Sequence, residues 1–199
     1  MSKKGRNGTL QEACELVRRV GLGSVLAALT PKARSEKELL TVEAAVQKVR
    51  ETRQRGKTVA FTSGCCDILH IGHILFFGDC KDGADLLIVG VDSNQNITAA
   101  KGAGHPMFDE TERVLVVASL ACVDHVLKFD GPCAKLLERL KPDFYCFSPY
   151  DPVYDRKAAD ARRAGARVKE AGYSLKAWSS SRVAGSIRMS YLLPGRWND

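Results

Sequence analysis

Thr58-Val-Ala-Phe-Thr-Ser-Gly-Cys-Cys-Asp67 opens a stretch that continues as Ile-Leu-His70-Ile-Gly-His73 and closes with Ala84-Asp-Leu-Leu-Ile-Val-Gly-Val91. The run from Thr58 to Thr62 is rich in residues that favour buried strands, and the small residues Ser63 and Gly64 predict a turn after it. The apolar residues beyond His73 indicate a helix, and the closing apolar run indicates a second buried strand. We therefore expect a strand, a turn, a helix and a strand, with two histidines where the helix begins.

The beginning of that helix suits a negatively charged ligand. Its first backbone N–H groups have no partner within the helix, and the helix dipole is positive there. His70 and His73 are three residues apart and share one helix face, and Gly72 leaves room for a phosphate to approach the backbone. Imidazole N–H groups held there would stabilise the charge that builds on an α-phosphate under attack and on the leaving pyrophosphate. We therefore expect a nucleoside triphosphate at this site.

Two simpler interpretations of these residues compete with the triphosphate site. The histidines could be core residues with satisfied hydrogen bonds, although that role needs neither Gly72 nor the strand–turn–helix context. A metal site is the other interpretation, and its ligands would come from Cys65, Cys66, His70, His73 and Cys80. Their spacing matches no zinc pattern, so we expect no metal bound by the protein itself. Asp67 is open to two roles, since it could orient a histidine or a magnesium-bound water, or could cap the helix.

Composition and charge indicate which kinds of molecule the protein binds. The chain has 199 residues, a formal net charge of +7 and seven cysteines. The positive charge suits phosphate-bearing ligands, but no basic block with interleaved aromatic residues indicates nucleic-acid binding. No apolar run approaches the roughly 18 residues that span a bilayer, and the basic start is not followed by the apolar region of a secretory signal. We therefore expect a cytoplasmic protein with reduced cysteines and with no membrane or nucleic-acid partner.

Short apolar strands alternate with helices along the rest of the chain. Residues 1–37 are expected to form an N-terminal helical extension, in which residues 1–8 are disordered, and residues 38–199 to form the main domain. The predicted helices cover residues 41–55, 131–140 and 156–164, and further helices begin at 109 and 180. Strands are predicted at 125–129, 144–147 and around 167–168 or 173–178, and a long polar loop at 92–106. This alternation predicts a Rossmann-like three-layer α/β/α fold with a mostly parallel, five-stranded sheet.

Gly64-Cys-Cys-Asp-Ile-Leu-His-Ile-Gly-His73 resembles the signature of the cytidylyltransferase-like nucleotidyltransferases, which is Gly-x-Phe-Asp followed by His-x-Gly-His. The likeness covers roughly residues 38–188 and continues at Lys101-Gly102, Pro106, Glu112-Arg113, Cys122-Val-Asp-His-Val126, Lys141-Pro-Asp-Phe-Tyr145 and Ser179-Ser180-Ser181. Within the family, the chain is most similar to the adenylyltransferase domain of ADP-heptose synthesis and then to glycerol-3-phosphate cytidylyltransferase.

The resemblance implies a role for each of these positions. His70, His73 and Lys101 would be the catalytic residues, with Lys101 contacting phosphate as a flexible positive charge. The serine triplet, Ser179, Ser180 and Ser181, would present hydroxyl and helix N–H groups to the β- and γ-phosphates. The remaining nucleotide-binding residues would be Thr62, Ser63, Gly64, Cys65, Cys66, Asp67 and Gly72.

The acceptor half of the site departs from the family pattern. His105 stands where arginine is usual, Cys66 replaces the usual phenylalanine, and Phe147-Ser-Pro-Tyr-Asp151 replaces the usual Lys-Gly-Gly-Asp. Because the triphosphate-binding positions are better kept, these departures imply an altered acceptor. We expect the acceptor to be bound by His105, Asp151 and Arg113, unless Arg113 instead forms a helix-surface salt bridge with Asp109.

The expected activity is transfer of a nucleoside monophosphate to a small phosphorylated acceptor. AMP from ATP is slightly favoured over CMP from CTP, the acceptor is a sugar or polyol phosphate, and Mg²⁺ is carried by the nucleotide onto the pyrophosphate. We expect a homodimer. The main alternative is a catalytically altered nucleotide-binding or regulatory protein on the same scaffold. Class I aminoacyl-tRNA synthetases also carry His-Ile-Gly-His, but they need a larger catalytic domain and a tRNA-binding module.

Overall fold

The computed structural model describes residues 39–171, together with residues 183 and 185. In chain order these contain β1 (Leu39–Leu40), α1 (Val42–Gln54), β2 (Val59–Gly64), α2 (Ile71–Lys81), β3 (Leu86–Asp92), α3 (Asn94–Lys101), α4 (Glu110–Ala118), β4 (His125–Phe129), α5 (Cys133–Leu140), β5 (Phe144–Phe147), α6 (Tyr154–Ala164) and β6 (Arg167–Glu170). The predicted N-terminal extension and the serine triplet lie outside the described residues. So does the predicted last helix, except for Val183 and Gly185, which are helical.

The strands form one parallel sheet in the order β1-β4-β3-β2-β5-β6. β2 pairs with β3 along its whole length, from Val59 opposite Leu86 to Gly64 opposite Val91. The order reverses at β2, because the chain first moves outward to β3 and β4 and then returns to β5 on the other side. At such a point the connections leave neighbouring strands in opposite directions and open a crevice at their carboxyl ends. The Rossmann-like α/β fold is thus confirmed.

Helices cover both faces of this sheet, and the side chains of each strand alternate between the faces. What we call the first face carries Phe61 and packs against α1, α5 and α6. The second face carries Ala60 and packs against α2 and α4. Gly90 lies on the first face, where a Cβ atom at this position would stand 2.9 Å from Cζ of Phe61. The core therefore consists of two apolar layers that the sheet separates.

Most of the predicted elements are confirmed within a few residues. α1 begins after Thr41, whose hydroxyl accepts a hydrogen bond from the Ala44 N–H at 3.1 Å, as expected of an N-cap. β5 has the predicted bounds, and α6 ends at Gly165, which adopts the left-handed conformation with φ of 75°. No helix in residues 39–171 has the length and apolar character that crossing a membrane requires.

Three predictions about the elements were wrong in part. The sheet has a sixth strand, because the short β1 pairs with β4 through Leu39 and Leu40. Ser63 and Gly64 are the last residues of β2 and not a turn. The polar loop expected after β3 begins as helix α3, which Ser93 caps by accepting the Asn96 N–H at 3.1 Å. In α3 only Ile97 is buried, so the helix lacks the repeated apolar positions that would have predicted it.

Candidate active site

The two histidines lie where α2 begins, at the carboxyl end of β2. His70 is the N-cap residue of α2 in an extended conformation, and its carbonyl accepts the backbone N–H of His73 at 2.9 Å. The centroids of the two imidazole rings are 4.1 Å apart, and the ring planes are tilted by 50°. Gly72 is buried in the first turn between them. The structure therefore brings both imidazoles together at a helix N-terminus.

Burial keeps both imidazoles neutral. Burial lowers the pKa of His73 to about 4, and the charges of His70 and Lys101 act in the same direction. Burial also lowers the pKa of His70. Nδ1 of His73 accepts the backbone N–H of His70 at 3.4 Å, so the neutral ring carries its proton on Nε2. At pH 7, His73 can therefore donate a hydrogen bond to a phosphate oxygen without being a cation beforehand.

Lys101 is the last residue of α3, and its charge reaches the histidine site. It acts on the pKa of His73, and it opposes the rise that burial causes in the pKa of Cys65. Its side chain is exposed, and Gly102 follows it in a conformation with φ of 87°. The structure thus brings together the three residues expected to be catalytic, and it fixes Lys101 through a helix that the sequence did not reveal.

Asp67 holds a neighbouring segment against the turn between β2 and α2. Its two carboxylate oxygens accept the backbone N–H of Met107 at 3.0 and 2.9 Å, and Oδ1 also accepts that of Phe108 at 3.0 Å. The N-cap of α2 is His70, so the interpretation of Asp67 as the helix cap is wrong. The loop that follows Lys101 is thereby tied to the turn that precedes the histidines.

Arg113 is buried, with 1% of its surface exposed, and it binds the protein with three nitrogens. Nε donates to the Phe108 carbonyl at 3.0 Å, Nη1 to the Cys65 carbonyl at 2.6 Å, and Nη2 to Oδ1 of Asn94 at 2.9 Å. None of these bonds goes to Asp109, so the alternative of a helix-surface salt bridge is wrong. Arg113 instead ties the turn at Cys65 to α3 and α4.

The other expected residues lie on both faces of the sheet. Thr62 is buried, whereas Ser63 points to the first face, where its hydroxyl lies 3.1 Å from Sγ of Cys133 and 3.3 Å from the Tyr145 hydroxyl. Cys66 is also buried, and burial raises the pKa of its thiol to about 12. His105 is exposed, and its carbonyl accepts the Thr98 hydroxyl at 2.8 Å.

Two residues near the site, Lys157 and Asp92, were missed in the sequence. Nζ of Lys157 in α6 lies 2.6 Å from the carboxylate of Asp151, the expected acceptor-binding residue after β5. Asp92 ends β3, half-buried, and burial raises its pKa. Asp92 had a signal, since it is an acidic residue directly after an apolar strand. Lys157 had none, because a lysine on an amphipathic helix is usually a solvent-facing residue. Within the described residues, no group of three or more His, Cys, Asp or Glu side chains could hold a metal ion.

Comparison with known families decides the class of the protein. A family model described as cytidylyltransferase-like matches residues 61–185, a range that contains most of β2, both histidines and Lys101. The chain belongs to the cytidylyltransferase-like family. This cytidylyltransferase-like protein is a nucleotidyltransferase, and the expected class of enzyme is confirmed.

Its curated relatives include bifunctional proteins that are longer than this chain. The bifunctional protein HldE of Citrifermentans bemidjiense is 31% identical over 161 residues, which are 79% of this chain and 32% of that protein. HldE of Helicobacter pylori is 35% identical over 147 residues, 68% of this chain and 31% of that protein. The cytidylyltransferase-like chain thus spans about a third of the length of these curated relatives.

Two solved structures resemble the fold. A lipopolysaccharide core biosynthesis protein from Thermoplasma volcanium superposes with a TM-score of 0.50 and 26% identity, over 58% of this chain and 94% of that one. A pantoate-beta-alanine ligase from Francisella tularensis, complexed with beta-gamma ATP and beta-alanine, gives a TM-score of 0.50 at 14% identity, over 81% and 82% of the two chains. The second likeness shows only that the fold is shared.

Proposed function

We propose that this nucleotidyltransferase moves AMP from ATP to a small phosphorylated sugar and releases pyrophosphate. The observation that carries the proposal is the pair of neutral imidazoles 4.1 Å apart at the start of α2, within reach of the charge of Lys101. The likeness to HldE and to the adenylyltransferase domain of ADP-heptose synthesis supports ATP and makes a heptose phosphate the first acceptor to test. CTP and a polyol phosphate are the second choice.

The proposed reaction is a single in-line displacement. A phosphate oxygen of the acceptor, already deprotonated at pH 7, attacks the α-phosphorus, and the bond from that phosphorus to the pyrophosphate oxygen breaks. Negative charge grows on the α-phosphate oxygens and on pyrophosphate, and the N–H groups of His70 and His73 stabilise it by hydrogen bonds. Lys101 adds a positive charge at the phosphates. Mg²⁺ carried by the triphosphate would supply further positive charge for the leaving pyrophosphate.

Asp67 and Arg113 act in this proposal as positioning residues. Asp67 holds the segment at Met107 and Phe108, and Arg113 holds the Cys65 carbonyl at 2.6 Å, so hydrogen bonds join the turn to the Lys101 loop. This replaces the expected contact between Arg113 and an acceptor phosphate, because the guanidinium is buried and bound on three sides. The roles of the serine triplet in binding phosphates and of His105 and Asp151 in binding the acceptor stay predictions.

The decisive experiment is a pyrophosphate-release screen. ATP, CTP, GTP and UTP are each incubated with heptose 1-phosphate, mannose 1-phosphate and glycerol 3-phosphate in the presence of Mg²⁺. We expect turnover with ATP and a sugar phosphate, and a loss of about 100-fold or more in His73→Ala. Lys101→Met should raise the KM for ATP, whereas Lys135→Met, an exposed lysine on α5, should not. Unchanged turnover in His73→Ala would contradict the mechanism.

The rival function is a nucleotide-binding or regulatory protein that has lost catalysis. It is favoured by one observation, the sequence Phe147-Ser-Pro-Tyr-Asp151 in place of the family's lysine-containing motif. Calorimetry separates the two functions, since ATP binding without turnover on any phosphorylated acceptor would support the rival.

We also propose that the protein is a homodimer. Leu39 and Leu115 are 63% and 65% exposed at the β1 edge of the sheet, and such apolar side chains would be buried between two copies. Analytical ultracentrifugation tests this, and Leu115→Glu should shift a dimer towards monomer. A wild-type protein that sediments as a monomer at assay concentrations would contradict the proposal.

A further inference from the structure

Polar side chains lie on the first face of the sheet near the carboxyl ends of β2 and β3 and within β5. Ser63 is the penultimate residue of β2, Asp92 is the last residue of β3, and Tyr145 lies in β5, and all three side chains point to the same face. The Ser63 hydroxyl lies 3.3 Å from the Tyr145 hydroxyl and 3.1 Å from Sγ of Cys133, the first residue of α5. These side chains lie at the switch point of the sheet, on the opposite face from α2 and its histidines.

Asp92 is the member of this group whose negative charge is unfavourable to bury. Burial raises its pKa, while its hydrogen bond from Asn96 and the charges of Lys157, Arg113 and Lys101 act against that rise. Among the residues that the structure describes, the side chain of Asp92 accepts one hydrogen bond, from Nδ2 of Asn96 at 3.2 Å. A carboxylate has room for about four such bonds, so Asp92 retains unused acceptor capacity in a half-buried place.

Lys157 brings a cation to the same place from α6. Its Nζ lies 2.6 Å from the Asp151 carboxylate and 5.8 Å from the centroid of the Phe147 ring. The side chains of Lys157 and Asp151 are only 20% and 17% exposed, so the ion pair is held among protein groups and not on the open surface. The charge of Lys157 reaches both Asp92 and Cys133. The family's lysine directly after β5 is absent from this chain, and Lys157 from the next helix supplies a positive charge there instead.

The charges on this face do not suit a phosphate. Asp92 and Asp151 together outweigh Lys157 by one negative charge, and two carboxylates would repel an anion. Carboxylate acceptors beside ammonium and hydroxyl donors instead suit neutral hydroxyl groups, which both donate and accept. Burial raises the pKa of Cys133 and of Tyr145, so the thiol and the phenol stay protonated. The phosphates would then remain on the face of the histidines and Lys101.

We propose that Asp92, Ser63 and Lys157 bind neighbouring hydroxyl groups of a sugar ring at the carboxyl edge of β2, β3 and β5. This inference rests on the proposed function and adds a sugar-recognition site to it. The ring belongs either to the acceptor or to the ribose of the nucleotide, and both sources present the same chemistry.

Steady-state kinetics of Asp92→Asn and Lys157→Met test the site and show whether the bound ring belongs to the acceptor or to the nucleotide. With ATP and heptose 1-phosphate, we expect Asp92→Asn and Lys157→Met each to raise one KM about tenfold, since each removes a charged hydrogen-bond partner. A rise in the KM for heptose 1-phosphate assigns the acceptor ring. A rise in the KM for ATP, with loss of wild-type discrimination against 2′-deoxy-ATP and 3′-deoxy-ATP, assigns the ribose.

Controls keep the test independent of folding and of the proposed function. Asp155→Asn and Lys135→Met remove the same charges at exposed positions of α6 and α5, and both should leave the two KM values unchanged. Changes below twofold in both KM values for folded Asp92→Asn and Lys157→Met would overturn the site. If the wild type turns over no sugar phosphate, the proposed function fails, and calorimetry decides the site separately. Tighter binding of heptose 1-phosphate than of inorganic phosphate, or of ATP than of 2′-deoxy-ATP and 3′-deoxy-ATP, supports the site if it is lost in Asp92→Asn; no loss with either ligand overturns it.

Discussion

The lowered pKa of His73 predicts that the protein loses stability in mild acid. The pKa of this imidazole is lowered from 6.5 to about 4 by burial, so the unfolded chain binds a proton at pH 5 that the folded protein resists. Stability therefore falls as pH drops from about 6.5 towards 4. A shift of this size lowers the free energy of unfolding by about 2 kcal/mol between pH 7 and pH 5, because each pKa unit is worth about 1.4 kcal/mol and titration is incomplete at pH 5.

The perturbation that tests this is His73→Gln, which keeps a side-chain N–H donor and cannot titrate. Urea unfolding at pH 7 and pH 5 gives the loss of stability for each protein. We expect His73→Gln to lose about 2 kcal/mol less than the wild type over this range. His105→Gln is the matched control, since His105 is exposed, and it should lose as much as the wild type. If His73→Gln and the wild type lose the same amount, the burial argument is wrong.

The same residue links nucleotide binding to protons. A triphosphate beside His73 places negative charge next to the ring and raises its pKa, so binding should be accompanied by proton uptake below about pH 6. Calorimetry of ATP binding in two buffers with different ionisation enthalpies measures this uptake. It should be present in the wild type and reduced in His73→Gln. Equal uptake in both proteins would place the triphosphate away from His73.

Three further predictions concern the groups around the site. Arg113→Lys cannot reproduce three divergent hydrogen bonds, so the free energy of unfolding should fall by roughly 3 kcal/mol in urea titrations, and a loss below about 1 kcal/mol would contradict the buried geometry. Asp67→Asn weakens the hold on Met107 and Phe108, and kcat/KM for ATP should fall about tenfold while the thermal midpoint changes by only a few degrees. Gly90→Ala places a Cβ atom 2.9 Å from Phe61 and should lower the free energy of unfolding by about 1–3 kcal/mol. The control Gly78→Ala in α2, where a Cβ atom would have no atom within 4 Å, should not destabilise the protein. Equal effects of the two substitutions in urea titrations would refute the packing argument.

The sequence predicted the parts of the fold that follow from repeated local patterns. β5 was predicted within its observed bounds because Phe144 to Phe147 form an apolar run, and α1 because Thr41 caps an amphipathic repeat. β1 was not predicted because two residues are too few to form a pattern, and its pairing with β4 depends on tertiary packing. α3 was not predicted because only one of its residues, Ile97, packs into the core, so the helix has no repeated apolar positions.

The site divides in the same way. His70 and His73 could be predicted because their spacing and their position at a helix start are local properties of the chain. The contacts of Asp67 and Arg113 could not, because each joins residues at least 40 positions apart, Asp67 with Met107 and Arg113 with Cys65. For the same reason, the approach of Lys157 to the end of β5 depends on how α6 packs and not on any motif.

The alternation of side chains along β2 explains how one strand could serve two kinds of ligand chemistry. Thr62 points to the second face, where the start of α2 would bind phosphate in the proposed function. Ser63 points to the first face, where Asp92 and Lys157 would bind hydroxyl groups in the proposed sugar site. Phosphate binding requires excess positive charge and helix N–H groups, whereas hydroxyl recognition requires both donors and acceptors. The acceptor groups of a hydroxyl site would repel a phosphate if both sets of side chains surrounded the same ligand atoms. The sheet keeps them apart by the thickness of one strand, so acceptor specificity could change at the first face while the phosphate chemistry of the second face was retained. Such a separation of the two proposed sites would account for a chain in which the histidine motif is intact and the residues after β5 depart from the family pattern.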